Sequence, residues 1–138
     1  MDRITFDARW VPRMLSIMRI VVAFLFMENG GIKLFNIPRI PHPAPHLPPL
    51  MLVAGVLEFF GGLLVLMGAF TRPVSFILSG EMAVAYFMAN APHGFWPVLN
   101  GGETGVLYCF VFLYLAAAGG GAWSVDRMWH STTRGSTS

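Results

Sequence analysis

Four apolar runs, separated by short polar or proline-rich breaks, decide what this chain can become. They cover about Met14 to Phe35, Leu50 to Phe70, Val74 to Ala91 and Thr104 to Ala122. Each comes close to the roughly 20 residues that a helix needs to cross a hydrocarbon layer about 30 Å thick. Inside such a layer every backbone N–H and C=O must be paired within its own segment, so the runs are expected as α-helices. The third is the shortest; Pro73 suits its first turn, where a missing N–H costs little, and Pro92 closes it. Gly119, Gly120 and Gly121 mark the end of the fourth.

The remaining composition agrees with a membrane chain. Of 138 residues, 55% are hydrophobic and only 12% are charged, against roughly 25% charged in a soluble domain. The length allows one domain spanning residues 1–138. A net charge of +2 with no basic stripe gives a nucleic acid nothing to bind. The single cysteine, Cys109, excludes an internal disulfide and a CxxC redox pair. The first run carries Arg19 and Glu28 and has no small-residue cleavage site behind it, so it is expected to stay in the protein and not to be removed as a signal.

Arginine placement sets an expected orientation. Arg3, Arg9 and Arg13 precede the first run, Arg72 lies in the turn between the second and third, and Arg127 and Arg134 follow the fourth. The other side has Lys33 and Arg39, and its second loop has neither lysine nor arginine. The positive-inside rule then puts both termini and the Arg72 turn in the cytoplasm. Residues 36–49, with six of the ten prolines, become an extended periplasmic loop, and residues 127–138 a flexible cytoplasmic tail. Trp10, Trp96, Trp123 and Trp129 all fall at expected helix ends, as an interfacial belt requires. The fold class is thus a four-helix transmembrane bundle.

Charge inside the spans is the informative anomaly. Glu28, Glu58 and Glu81 lie one per helix, and Glu103 opens the fourth. A charge at mid-bilayer costs on the order of 2.5–3.5 kcal/mol, so such groups face the bundle interior and have partners or a function. Glu28 and Glu58 both fall about 12 Å below the outer helix ends, at about 1.5 Å per residue. That equal depth makes them expected neighbours sharing one proton. On a regular helix Arg19 lies opposite Glu28, so it is expected to reach the cytoplasmic interface or Glu81; a break at Gly30–Gly31 would bring Lys33 nearer Glu28. Ser75, Ser79, Tyr86, Asn90 and His93 share a stripe of the third helix, with Glu81 roughly opposite. Gly55 and Gly62 flank Glu58 on one face, where small residues let helices approach closely. The candidate polar site is therefore Glu28, Glu58, Glu81, Glu103, Arg19, Lys33 and Tyr86.

The histidines lie outside the spans. His42 and His46 are separated by prolines, which deny them a shared helical face, and with His93 and Glu103 they make no expected metal site. The chain also lacks GxGxxG, P-loop, HExxH and GxSxG motifs.

Several pieces in order carry a resemblance. They are Arg19 with Phe24, Leu25, Phe26, Met27, Glu28, Asn29 and Gly30, then Lys33 and Leu34. Gly55, Val56, Leu57 and Glu58 follow, then Gly61, Gly62, Leu64 and Gly68 with Thr71 and Arg72. Last come Met82 and Ala83, Asn100 to Glu103, Gly119 to Gly121, and Ser124 to Asp126. In this the chain resembles the DoxX family of small four-helix membrane proteins over about Met18 to Asp126. The resemblance implies the bacterial cytoplasmic (inner) membrane and an association with membrane redox chemistry, some relatives being subunits of a thiosulfate:quinone oxidoreductase. It marks Arg19, Lys33, Glu58 and Glu103 as recurrent polar positions, without a role for each. The proline loop and Glu28 depart from the family pattern.

The expected function is a membrane subunit of a quinone-linked redox system. It holds no intrinsic cofactor, binds quinone or relays its protons, and relies on other membrane subunits or on self-association. The alternative is a non-catalytic accessory subunit packed against a larger complex. A small-solute carrier has the polar interior in its favour but lacks the internal repeats common in transporters.

Overall fold

A computed structural model describes residues 3–37 and 48–129. The proline-rich stretch with Arg39, His42 and His46, and the tail from His130 with Arg134, lie outside the described residues. Among the described residues every regular element is helical. Helix α1 is Arg3–Phe35, α2 is Pro49–Met67 and α3 is Thr71–His93. A single turn α4, Pro97–Asn100, leads into α5, Glu103–Ala118. The C-terminal segment then folds back and ends in a helical turn at 125–129.

Three helices are long and apolar enough to cross a membrane: Ala8–Phe35 within α1, then α2 and α3. The fourth apolar helix, α5, has 16 residues and rises about 24 Å. It stops four residues short of the expected Ala122 because Gly119 leaves the helix at φ 85°. At its other end α1 runs well beyond the apolar run, through Pro12 to Arg3. The expected helix starts near Pro49 and Pro73 are observed.

Two helices are not regular. A π turn at Leu57–Gly61 interrupts α2. In α3 the α-helix ends at Ala85 and gives way to a π turn at Tyr86–Asn90 and a 3-10 turn at Ala91–His93. Between α2 and α3 the chain turns on two left-handed residues, Gly68 at φ 74° and Phe70 at φ 51°. For a residue as bulky as Phe70 that conformation costs on the order of 1–3 kcal/mol and must be held from outside.

Helix α1 packs along α2, and α3 along α5. The α1–α2 approach is close: a Cβ on Gly30 would lie 2.5 Å from the Phe59 nitrogen and 2.9 Å from the Gly55 oxygen. Gly62 meets Met27 and Ala23, so the glycines beside Glu58 do face a neighbouring helix. The two helix pairs close on a dry core of Ala23, Phe26, Val65, Leu78, Met82, Phe112 and Leu115. Phe26 meets the edges of Phe112 and Tyr108 at ring separations of 4.8 and 5.2 Å. Outside, Phe24, Phe76, Leu107 and Phe110 are exposed, and Trp10, Trp96, Trp123 and Trp129 are exposed nearer the helix ends. An exterior of this kind, on helices of this length, is that of a multi-pass membrane protein in contact with lipid.

Candidate functional site

Polar side chains gather at three levels of the bundle. The first level lies where α1, α2 and α3 meet beyond the dry core. Glu58, in the π turn of α2, is 2% exposed. Both its oxygens accept from Lys33 Nζ at 2.8 Å. This is the ion pair found among the described residues. The lysine stem reaches Glu58 by passing Gly55, where a Cβ would stand 3.1 Å from the Lys33 Cβ. Glu81 of α3 lies in the field of Glu58 first and of Lys33 second. Both of its carboxyl oxygens are buried; no donor group among the described residues reaches them, and the side chain lies within hydrogen-bonding reach of the Glu58 carboxyl group. Tyr108 of α5 feels both Glu28 and Glu58 and packs its ring on Phe26. The cluster therefore brings one ammonium against two carboxyl groups, with a third carboxyl group and a phenol nearby.

This corrects the expected pairing. Glu58 takes Lys33, not Glu28, as its direct partner, and the carboxyl group that acts on Glu81 is Glu58. Lys33 turns to α2 and not back to Glu28 on its own helix. Glu28 is half-buried, and its charge and that of Glu58 both act on Tyr108. Glu103 is exposed in the first turn of α5, where its charge suits the positive end of the helix.

The second level is about 21 Å further along α1, counting 14 residues at about 1.5 Å each. Arg19 is 1% exposed. It donates to the carbonyl oxygens of Gly120, of Trp123 at 2.7 Å and of Leu66 at 3.4 Å. Neither the water interface nor Glu81 receives it, as was expected of this side chain. Ser16 Oγ donates to Gly120 O at 3.1 Å and accepts from Trp123 N at 2.9 Å. Gly68 leaves the room: a Cβ there would come within 2.8 Å of Arg19 Nη1. The Asp126 carboxylate accepts from Phe70 N at 2.8 Å and Thr71 N at 2.9 Å. It thus caps α3 and holds the left-handed Phe70 in place. Arg72, expected only as a charge in a turn, donates from Nη1 to Ala117 O at 2.7 Å and so satisfies the end of α5.

The third level ties the α3–α5 connection. Asn100 is 8% exposed and donates from Nδ2 to Tyr86 Oη at 3.1 Å and Gly94 O at 3.0 Å. Its Oδ1 accepts from Gly102 N at 2.9 Å, and Asn90 Nδ2 donates to Asn100 O at 3.1 Å. Tyr86 is thereby a loop anchor. Of the expected α3 stripe, Ser79 faces α5, where its Oγ donates to Cys109 O at 2.7 Å, and Ser75 is buried. His93 is exposed. Among the described residues no three His, Cys, Asp or Glu side chains converge as metal ligands would.

Sequence reasoning missed Tyr108, Asn100 and Ser16. Asn100 carried a signal, since an asparagine between Pro97 and Gly101 is a turn former. Tyr108, in an unbroken apolar run, carried none.

Known proteins agree with this architecture. A DoxX family profile matches residues 14–91, more than half of the chain. An uncharacterized protein of Haemophilus influenzae is 41% identical over 123 residues, which is 86% of this chain and 92% of that protein. No solved structure matches. With its polar positions at Arg19, Lys33 and Glu58 inside the matched stretch, this chain belongs to the DoxX family.

Proposed function

We propose that this protein is a membrane subunit of a quinone-linked redox system, in which Glu81 hands protons to or from a quinone while a partner subunit carries the electron cofactor. The observation behind this reading is the buried Glu81 carboxyl group, which has no donor group on it among the described residues and is set against the Glu58 carboxyl group of the Lys33–Glu58 pair. Lys33 and Glu58 cancel one another, so no cation of the cluster is left to balance a charge on the buried Glu81. A proton on Glu81 leaves the group neutral in a low-dielectric setting, and loss of that proton needs a recipient. Reduction of a quinone takes two electrons, supplied by the partner, and two protons, which a positioned carboxyl group can deliver. Tyr108 and Glu28 extend the cluster toward α5.

In this reading α5 is the fourth span and both termini are cytoplasmic, which the arginines at 9, 13, 72 and 127 support. A periplasm-specific reporter fused after Trp96 should be active, and one fused after Ser138 silent; the reverse pattern sinks the topology. The proton role is tested with Glu81→Gln in the assembled complex. Quinone-dependent turnover should fall on the order of 10²-fold, with the amount of assembled protein unchanged. Full turnover in Glu81→Gln removes the proposal.

One observation favours a second reading, a non-catalytic accessory subunit packed against a larger membrane complex. Gly80 on α3 and Gly105 on α5 have nothing within 4 Å of where a Cβ would stand, so each leaves a notch that another helix could fill. An accessory subunit copurifies with a stoichiometric complex and tolerates Glu81→Gln; a quinone subunit brings extractable quinone.

A further inference from the structure

Besides the buried clusters, the molecule has an open cavity of about 990 Å³ where α3 begins and α5 ends. Its walls divide by chemistry. Leu15, Phe70 and Pro73 are its apolar lining residues, and Arg72 and Arg127 its basic ones. Asp126 also lines it, but that carboxylate already accepts from the backbone N–H groups of Phe70 and Thr71. Among the described residues neither arginine has a carboxylate partner, the one ion pair being Lys33–Glu58. Arg72 commits Nη1 to Ala117 O, and its remaining N–H groups lie over Gly119. There a Cβ would come within 3.4 Å of Nε and Nη2, so a side chain at 119 would crowd the guanidinium.

We propose that this cavity binds an anionic lipid, with the headgroup phosphate held between Arg72 and Arg127. Two arginines without a carboxylate partner among the described residues, Arg72 with Nε and Nη2 still uncommitted, match the several acceptor oxygens and the negative charge of a phosphate diester. Depth agrees with it: exposed Trp123 and Trp129 stand on the same C-terminal segment as Arg127, and tryptophans favour the headgroup layer. The apolar side selects a lipid over a soluble phosphate. Leu15, Phe70 and Pro73 give the glycerol and the first methylenes of the acyl chains a surface to lie on, and Phe70 is itself exposed. The cavity is thus a place where the bundle end exchanges a generic lipid contact for a defined one.

The test uses the full chain in a neutral detergent, with phosphatidylglycerol, phosphatidylcholine or inorganic phosphate as the probe and native mass spectrometry as the readout. Wild type should retain phosphatidylglycerol over phosphatidylcholine, and Arg127→Gln should lower that affinity about fivefold or more, the worth of one arginine at an anionic surface. Arg127 is exposed and holds no other element, so the variant folds. Arg9→Gln, an exposed arginine of α1 outside the cavity, should bind as wild type does. Equal affinity in Arg127→Gln, or an equal loss in Arg9→Gln, overturns the site in favour of diffuse charge attraction. Displacement of the lipid by millimolar inorganic phosphate overturns the lipid assignment and makes the ligand a soluble phosphate.

Discussion

Arg19 and Glu81 are both charged residues withdrawn from the membrane exterior, yet the bundle treats them in opposite ways. Arg19 meets three backbone carbonyls from two distant segments. Glu81 meets no donor group among the described residues, only the carboxyl group of Glu58. The guanidinium stands where a glycine-rich helix end offers carbonyls that have lost their helical partners, and its two terminal nitrogens supply them with donors while Nε has no partner among the described residues. The carboxyl group stands in the middle of an apolar helix, where all backbone donors are already used. Burial of charge alone therefore does not mark function in a membrane. A charge gripped by several backbone groups is a fastening, and one that no donor grips is a place where something arrives and leaves.

Breaking the fastening should have the largest effect. Arg19→Met removes the donor from the Gly120, Trp123 and Leu66 carbonyls and should cost about 3–5 kcal/mol, the range for stripping one partner from a buried charged contact. Assembled protein in the membrane and its thermal unfolding midpoint should both drop sharply. A midpoint within a degree of wild type contradicts the fastening.

The Lys33–Glu58 pair comes next. Lys33→Met or Glu58→Gln alone leaves a buried charge without its counterion and should cost about 3 kcal/mol, while the double variant should recover much of that loss. Additive losses would mean that the two side chains do not interact. The smallest effect on stability belongs to Glu81→Gln, within about 0.5 kcal/mol of wild type, since the amide can keep the contact with Glu58 and adds no bulk. A large loss of stability there places Glu81 among the fastenings and closes the contrast from the other side.

Much of the fold was legible because apolar length and helix punctuation are local properties. Pro49, Pro73 and Gly119 sit at or near helix boundaries in sequence and in structure alike. The candidate acids were legible too, as charges in apolar runs. Their partners were not. Equal depth for Glu28 and Glu58 assumed regular helices, but Glu58 lies in a π turn, where the rotation per residue departs from 100°. Lysine's long stem also lets Lys33 pair with a residue at a different depth. Arg19 was misread for another reason: its acceptors are backbone carbonyls, which every residue has and no residue type announces. They become available because α5 ends at Gly119 and the chain returns across Arg19.

The contacts of Arg19 and Ser16 also have a consequence for biosynthesis. Arg19 reaches residues 101 and 104 positions later, and Ser16 one 104 positions later. The first helix thus enters the membrane long before its acceptors have been made. During that interval the guanidinium must stay near the water interface or find a temporary host, because hydrocarbon offers it no acceptor. Closure of the bundle is in this sense a late event: a stretch of chain made about a hundred residues later completes the seat of a residue in the first helix.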